Sequence, residues 1–359
     1  MIKGNKGEWS EIYALLKIIS DKKLYAGDSE LNKIEGLIFP IIKILRDESN
    51  GTYEYGYEDN LVIIKGNREE FRVPIQKFQE KSILLLMELR KNKSASFSIP
   101  EIEAFVSSFK CISLKAKSTV KSDIRIVIHD QKTGTTPELG FSLKSQLGGA
   151  STLLNAGKTT NFIYNIGGPN LVENQILEIN SINSRSKIKD RIQKVERFGG
   201  TFKFVKTESS IFGNNLTLID SSLPKILSEI IYNFFTSGNS KLEDLVKEIS
   251  QTNPLGYNQE THHPFYAYKI KRFLTDIALG MMPSKVWTGE LDATGGYLVV
   301  KDDGEILCYH IYNRNEFEDY LLNNTKLETA SSTRHGFGTV YKEYNQQFIK
   351  LNLQIRFLK

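Results

Sequence analysis

The stretch that most constrains this chain is residues 122–145. "SDIRIVIHD" and "ELGFSLKS" are dense in β-branched and apolar residues, and "QKTGTTP" between them carries Gly134 and a proline. The segment therefore reads as two strands joined by a turn, with Asp123 and Lys144 on neighbouring strands of one sheet. Side chains alternate along a strand, so Ser142 and Lys144 share one face while Phe141 and Leu143 face the core.

An acid and a lysine so placed can serve phosphodiester hydrolysis. Oxygen ligands hold a hard divalent cation, and a cationic side chain offsets charge on the attacked phosphorus group. A second carboxylate two residues before the lysine would complete the pattern, but Ser142 stands there. On spacing alone, the same residues fit an ordinary strand pair that starts and ends at the surface. The missing acid has a candidate source in "GEWSEIYALLKIISDKKL". Trp9, Ile12, Leu15, Leu16 and Ile19 recur there at helical spacing, and Glu8 and Glu11 lie three residues apart on one side.

The loop after Lys144, "SQLGGASTLLNAGKTTNF", is rich in small donors and acceptors. Ser145, Gln146, Ser151, Thr152, Asn155, Lys158, Thr159, Thr160 and Asn161 suit phosphates and base edges, and the glycines permit close approach. A solvated surface loop is the plain alternative. Ser332, Arg334 and His335, in "SSTRHGFG", form a second polar cluster suited to DNA contact. The other histidines offer no metal spacing: His262 and His263 are adjacent, and His129 and His310 lie in apolar strand contexts.

Elsewhere, "NLVIIKG", "FRVPI", "CISLKAK", "TNFIYNI" and "TFKFVK" read as strands, and "NQILEINSI" continues the β pattern. "QEKSILLLMELRKNK", "SIPEIEAFVSSF" and "SRSKIKDRIQKVERFG" read as helices. After about residue 215 the texture becomes helical, with "LPKILSEIIYNFF", "KLEDLVKEISQ" and "FYAYKIKRFLTDIALGMM". It then returns to strands in "GGYLVV", "EILCYHIY" and "FIKLNLQIRFLK", with a short helix, "NRNEFEDYLLNN", before the last of them. Two regions are expected, residues 1–215 and a C-terminal α+β region, 216–359.

The formal charge of +5 is a small excess of 47 bases over 42 acids, so clustering matters more than the total. Lys110, Lys115, Lys117, Lys121 and Arg125 form one basic run, and Arg185, Lys187, Lys189, Arg191, Lys194 and Arg197 a second. Each suits either a solvated face or phosphate contact. Two isolated cysteines, Cys111 and Cys308, in strand-like runs argue against a zinc site and for a reducing compartment. No signal or membrane segment is evident, so a cytoplasmic protein is expected.

Three strings carry a resemblance that spans the chain: "NKGEWSEIYALLKIISDKKLYAGD", "GFSLKSQLGGASTLLNAGKTTNFIYNI" and "CYHIYNRNEFEDYLLNNTKLETASSTRHGFG". Together they resemble HpaII-type type II restriction endonucleases. The resemblance implies an α/β fold with a mixed central β-sheet flanked by helices, a PD-(D/E)xK-like core. It also implies magnesium-dependent double-strand cleavage of DNA at a short palindrome such as CCGG. By the family pattern Asp123 is the metal-binding aspartate and Lys144 the motif lysine. Ser122 and Ser142 replace the proline and the second acid, and Glu11 or Glu8 compensates. A companion DNA methyltransferase and a homodimer on DNA fit the same reading. The Ser142 departure keeps open a DNA-binding protein without catalysis, and a small-substrate phosphodiesterase is the remaining alternative.

Overall fold

The computed structural model describes residues 2–115, 122–131 and 133–359. The chain opens with α1 (Lys6–Asp21), whose Trp9, Ile12, Leu15, Leu16 and Ile19 are fully buried. Each such side chain contributes roughly 1.5–3 kcal/mol, and together they hold α1 on the protein. A capping box fixes its start: Asn5 Oδ1 accepts from the Glu8 amide at 3.0 Å, and Glu8 Oε2 accepts from the Asn5 amide at 2.9 Å.

Strands β1 (Lys23–Gly27), β2 (Lys33–Glu48), β3 (Gly51–Glu58), β4 (Leu61–Gly66) and β5 (Glu69–Pro74) follow. Helices α2 (Ile75–Lys91) and α3 (Pro100–Ser107) lead to β6 (Ile124–Ile128) and β7 (Glu138–Ser145). Next come β8 (Thr152–Leu154), β9 (Asn161–Gly167), α4 (Glu173–Ser181), α5 (Lys187–Arg197) and β10 (Thr201–Thr207). Four helices succeed them: α6 (Ser210–Ile219), α7 (Leu223–Ser237), α8 (Leu242–Thr252) and α9 (Phe265–Leu279). The remainder holds β11 (Gly296–Val300), β12 (Ile306–His310), α10 (Arg314–Asn323), β13 (Thr325–Leu327) and α11 (Ser332–His335). It ends with β14 (Val340–Glu343), β15 (Gln346–Asn352) and β16 (Ile355–Phe357).

Among the described residues the main sheet has nine strands, in the order β1-β12-β11-β7-β6-β2-β3-β4-β5. The β1–β12 and β7–β11 pairings are parallel and the others antiparallel, so the expected mixed α/β architecture is present. One feature exceeds the expectation. The long β2 pairs with β1 through its first half and with β6 and β3 through its second, closing six strands into a ring. Two smaller sheets, β10-β9-β15-β14 and β13-β16-β8, lie outside it.

The main sheet separates two hydrophobic cores. Phe141, Leu298 and Val300 join α1, α2 and α3 in one. Tyr297 and Val299, the alternate residues of β11, join the second, with α5, α7, α9 and the smaller sheets. Position 215 lies inside α6, and β11 and β12, from beyond it, sit between β7 and β1. No helix among the described residues is long and apolar enough to cross a membrane.

Two predicted strands are corrected. "NQILEINSI" is helix α4, because Ile176 and Ile179 are buried three apart while Leu177 is exposed, a helical and not an alternating pattern. Cys111–Lys115, in "CISLKAK", forms no strand; Ala116 and Lys117 lie outside the described residues. Instead, Arg46 donates to the carbonyls of Ser113 and Leu114 at 2.7 and 3.1 Å and pins the segment irregularly. The β2–β3 hairpin has no counterpart among the predicted elements. Pro40 lies within β2, and burial alternates regularly only from Ile44 to Glu48.

Candidate active site

Asp123 stands just before β6, where its amide donates to the Phe141 carbonyl at 2.8 Å and extends the β6–β7 ladder. Its side chain reaches across that ladder. Oδ2 accepts from the Leu143 amide at 2.7 Å and from the Ser142 hydroxyl at 3.3 Å. Lys144 Nζ in turn donates to Ser142 Oγ at 3.4 Å. Acid, hydroxyl and amine thus form one chain on the face predicted from strand alternation, while Phe141 and Leu143 pack into the opposite core.

Ser142 and Lys144 face the second hydrophobic core, and this sets their electrostatics. Burial pushes the Lys144 ammonium below the ordinary lysine value, against the opposing pull of Asp123 and Glu11. Glu11 is the helix glutamate whose charge is felt there. Glu8 is occupied by the capping box and lies 3.4 Å from Lys115 Nζ. Ser10 Oγ and Ser145 Oγ, 2.8 Å apart, fasten α1 to the end of β7.

Asp123, Ser142 and Lys144 line a cavity of about 530 Å³. Its other walls come from Thr152, Asn155 and Thr159 of the loop after β7, and from Met281, Met282 and Ser284 beyond α9. Thr160 and Asn161 are fully buried and serve the loop from within. Asn161 donates to Glu208 at 2.7 Å and to the His335 carbonyl at 2.9 Å. Asn352 ties the same loop down, donating to the Gly157 carbonyl, Thr160 Oγ1 and Asn161 Oδ1 at 2.9, 3.1 and 2.7 Å. Ser145, Gln146 and Ser151 line a smaller neighbouring cavity of about 180 Å³. Lys158 is exposed at the loop tip. Ser332 lines a separate groove, with Arg334 exposed beside it and His335 closing α11.

The two basic runs differ. In the first, Lys110 pairs with Glu69 at 3.7 Å, Lys115 with Glu8, and Arg125 with Asp47 and Glu138 at 2.8 and 2.7 Å. Those acids come from distant elements, so local sequence concealed the neutralisation; Lys117 and Lys121 lie outside the described residues. In the second, Arg191 is buried and Lys194 pairs with Glu178 at 2.6 Å.

Tyr297 is the site residue that sequence reading missed. It lies opposite Ser142 in the parallel β7–β11 register, lines the cavity, and carries the Lys144 ammonium over its ring at 4.8 Å. The alternation of "GGYLVV" is its only sequence signal, because the β7–β11 pairing joins segments 150 residues apart.

Among the described residues, no three His, Cys, Asp or Glu side chains gather to hold a metal. No solved structure matches the chain. It is 53% identical over 359 residues to the type II restriction enzyme HpaII of Haemophilus parainfluenzae, covering 99% of this chain and 98% of that protein. The family model described as HpaII restriction endonuclease matches residues 5–357. By these two full-length matches the chain belongs to the HpaII restriction endonuclease family and is a type II site-specific endonuclease.

Proposed function

We propose that this endonuclease hydrolyses double-stranded DNA in the cavity around Asp123, Ser142 and Lys144, with magnesium, at a short palindrome such as CCGG. The observation that carries the reading is the contact chain Asp123–Ser142–Lys144, in which one hydroxyl joins acid and lysine at the cavity wall. The donor set suits a hard cation: a carboxylate and a hydroxyl are present, and neither His nor Cys lines the cavity. Asp123 would hold the ion, with Glu11 as the second carboxylate and Glu8 less suited because it caps α1. Such an ion would supply charge neutralisation at the scissile phosphate and a more acidic water.

The chain's own residues do the rest. Desolvation lets Lys144 exchange a proton with water more readily than a surface lysine, and its charged form offsets the negative charge gathering on phosphate. Ser142 holds lysine and acid in register. Thr152 and Asn155 are assigned contacts inside the cavity, and Ser145, Gln146, Ser151, Lys158, Ser332, Arg334 and His335 contacts around it. Thr160 and Asn161 act by shaping the loop.

A PD-(D/E)xK-like core is supported by the β6–β7 hairpin and α1 beside it, although the six-stranded ring is a feature the resemblance does not imply. In this reading residues 1–215 carry the chemistry, and 216–359 contribute recognition while lending β11 and β12 to the catalytic sheet. A palindromic target favours two-fold symmetric action by a homodimer on DNA. Cutting so short a site in the cytoplasm also calls for a companion methyltransferase that protects it.

Plasmid digestion with magnesium tests the assignment. Asp123→Ala and Lys144→Ala should each abolish cleavage while leaving duplex binding measurable. Wild-type cutting by either variant rejects it.

A further inference from the structure

A second groove, about 640 Å³ in volume, runs between the start of α5 and the turn leading into α11. Arg185, Lys187 and Lys189 line it from the start of α5, Ser331, Ser332 and Thr333 from the α11 turn, and Phe234 and Phe235 also line it; among the described residues no carboxylate does. Among the described residues none of these three cations is ion-paired, whereas Lys194 on the same helix pairs with Glu178.

The two sides of the groove are tied together by a buried arginine. The buried Arg191 donates to the carbonyls of Gly338, Asn180 and Ile182 at 2.6, 2.7 and 2.8 Å, clamping the turn after α11 to α5. Gly338 has φ +80°, a backbone conformation that favours glycine, and a Cβ there would crowd Ile188 Cδ1 at 2.0 Å. The groove is also tied to the cavity loop. Asn161 donates to the His335 carbonyl at 2.9 Å, and Lys158 Cε lies 3.9 Å from the Cβ position of Gly336.

Uncompensated cations facing hydroxyls match a run of phosphodiesters: the cations release condensed counterions, and the hydroxyls donate to phosphate oxygens. We propose that this groove seats the sugar–phosphate backbone of the target duplex away from the scissile bond. Arg185, Lys187 and Lys189 then set affinity, and Asp123 and Lys144 set chemistry. The proposal rests on the endonuclease reading of the β6–β7 cavity and can fail independently of it.

The test is fluorescence anisotropy with short labelled duplexes, one carrying CCGG and one lacking it, in calcium across a salt series. Single-turnover cleavage at saturating enzyme in magnesium runs beside it. Each lost phosphate contact flattens the log–log salt slope by about 0.9, so R185A/K187A/K189A should flatten it by about 2–3 and weaken binding to both duplexes about 10–100-fold. Its cleavage rate at saturation should equal that of the parent. Thr333→Asp, which adds an opposing charge and removes no cation, should weaken binding as well and decides the matter if the triple variant does not fold. Parental affinity and slope in a folded triple variant, or in Thr333→Asp, overturn the proposal. Asp123→Ala should lose cleavage while its duplex binding stays measurable; if it cuts, the cavity assignment falls and the groove result stands.

Discussion

The Lys144 ammonium lies over the ring of Tyr297, 4.8 Å from its centre, on the strand beside its own. Gly296 makes the placement possible: its φ is +106°, and a Cβ there would sit 2.1 Å from the Tyr309 carbonyl oxygen. A side chain at that position would push β11 off β12 and carry Tyr297 away from the amine. The aromatic face stabilises the charged amine in a setting that otherwise disfavours it, a contribution of up to about 2 kcal/mol when desolvated.

Tyr297→Leu should therefore lower the Lys144 proton affinity further and shift the lysine-dependent limb of the pH–cleavage profile toward lower pH. Tyr297→Phe keeps the ring and should track the parent, apart from losing the weak 3.3 Å hydrogen bond to the Ala278 carbonyl. If Phe and Leu variants give the same profile, the ring has no electrostatic role.

Lys144→Met should abolish cleavage without lowering the melting temperature. The native lysine holds its proton less tightly than the unfolded one, so between the two pKa values the unfolded chain binds more protons and stability rises with pH. The variant should lose that rise. A melting temperature that falls with activity would make Lys144 a structural residue.

His310 is fully buried, stacked on Phe39 at 5.3 Å, and its Nδ1 accepts from the Tyr312 amide at 3.0 Å. Burial lowers its pKa to about 4, with Asp130 opposing, and among the described residues Nε2 finds no hydrogen-bond partner. The depressed value means that stability is complete above the ordinary histidine value and declines as pH falls toward 4, by roughly 3 kcal/mol in all. Urea unfolding of His310→Leu across that window should show a flatter pH dependence. An unchanged slope would place the acid sensitivity elsewhere.

Arg46 and Glu48 form a buried pair at 2.8 Å, and Glu48 also accepts from the Ser113 hydroxyl at 2.7 Å. Removing Arg46 alone strands a buried charge, so Arg46→Met should destabilise by about 3–5 kcal/mol. Arg46→Met with Glu48→Met should recover much of that loss. Chemical denaturation of the two variants gives the comparison, and additive losses would argue against coupling.

The β6–β7 hairpin, the face shared by Ser142 and Lys144, the buried stripe of α1 and most later helices are legible in the residues alone. These follow from local periodicity, which the chain carries over a few residues at a time. Contacts between remote segments supply what periodicity cannot encode. Glu8 is engaged in a capping box and Glu11 is the glutamate whose charge reaches Lys144, and neither fact is legible in helical spacing. Tyr297 entered the site because β11 pairs in parallel with β7 across a long crossover. The first basic run, which reads as free charge, is neutralised where described by Glu69, Glu8, Asp47 and Glu138 from remote elements. In the second run Arg185, Lys187 and Lys189 have no ion-pair partner among the described residues, because the fold sets hydroxyls beside them. Charge balance at a surface is a sum over neighbours in space, and the chain's order along itself does not fix that sum.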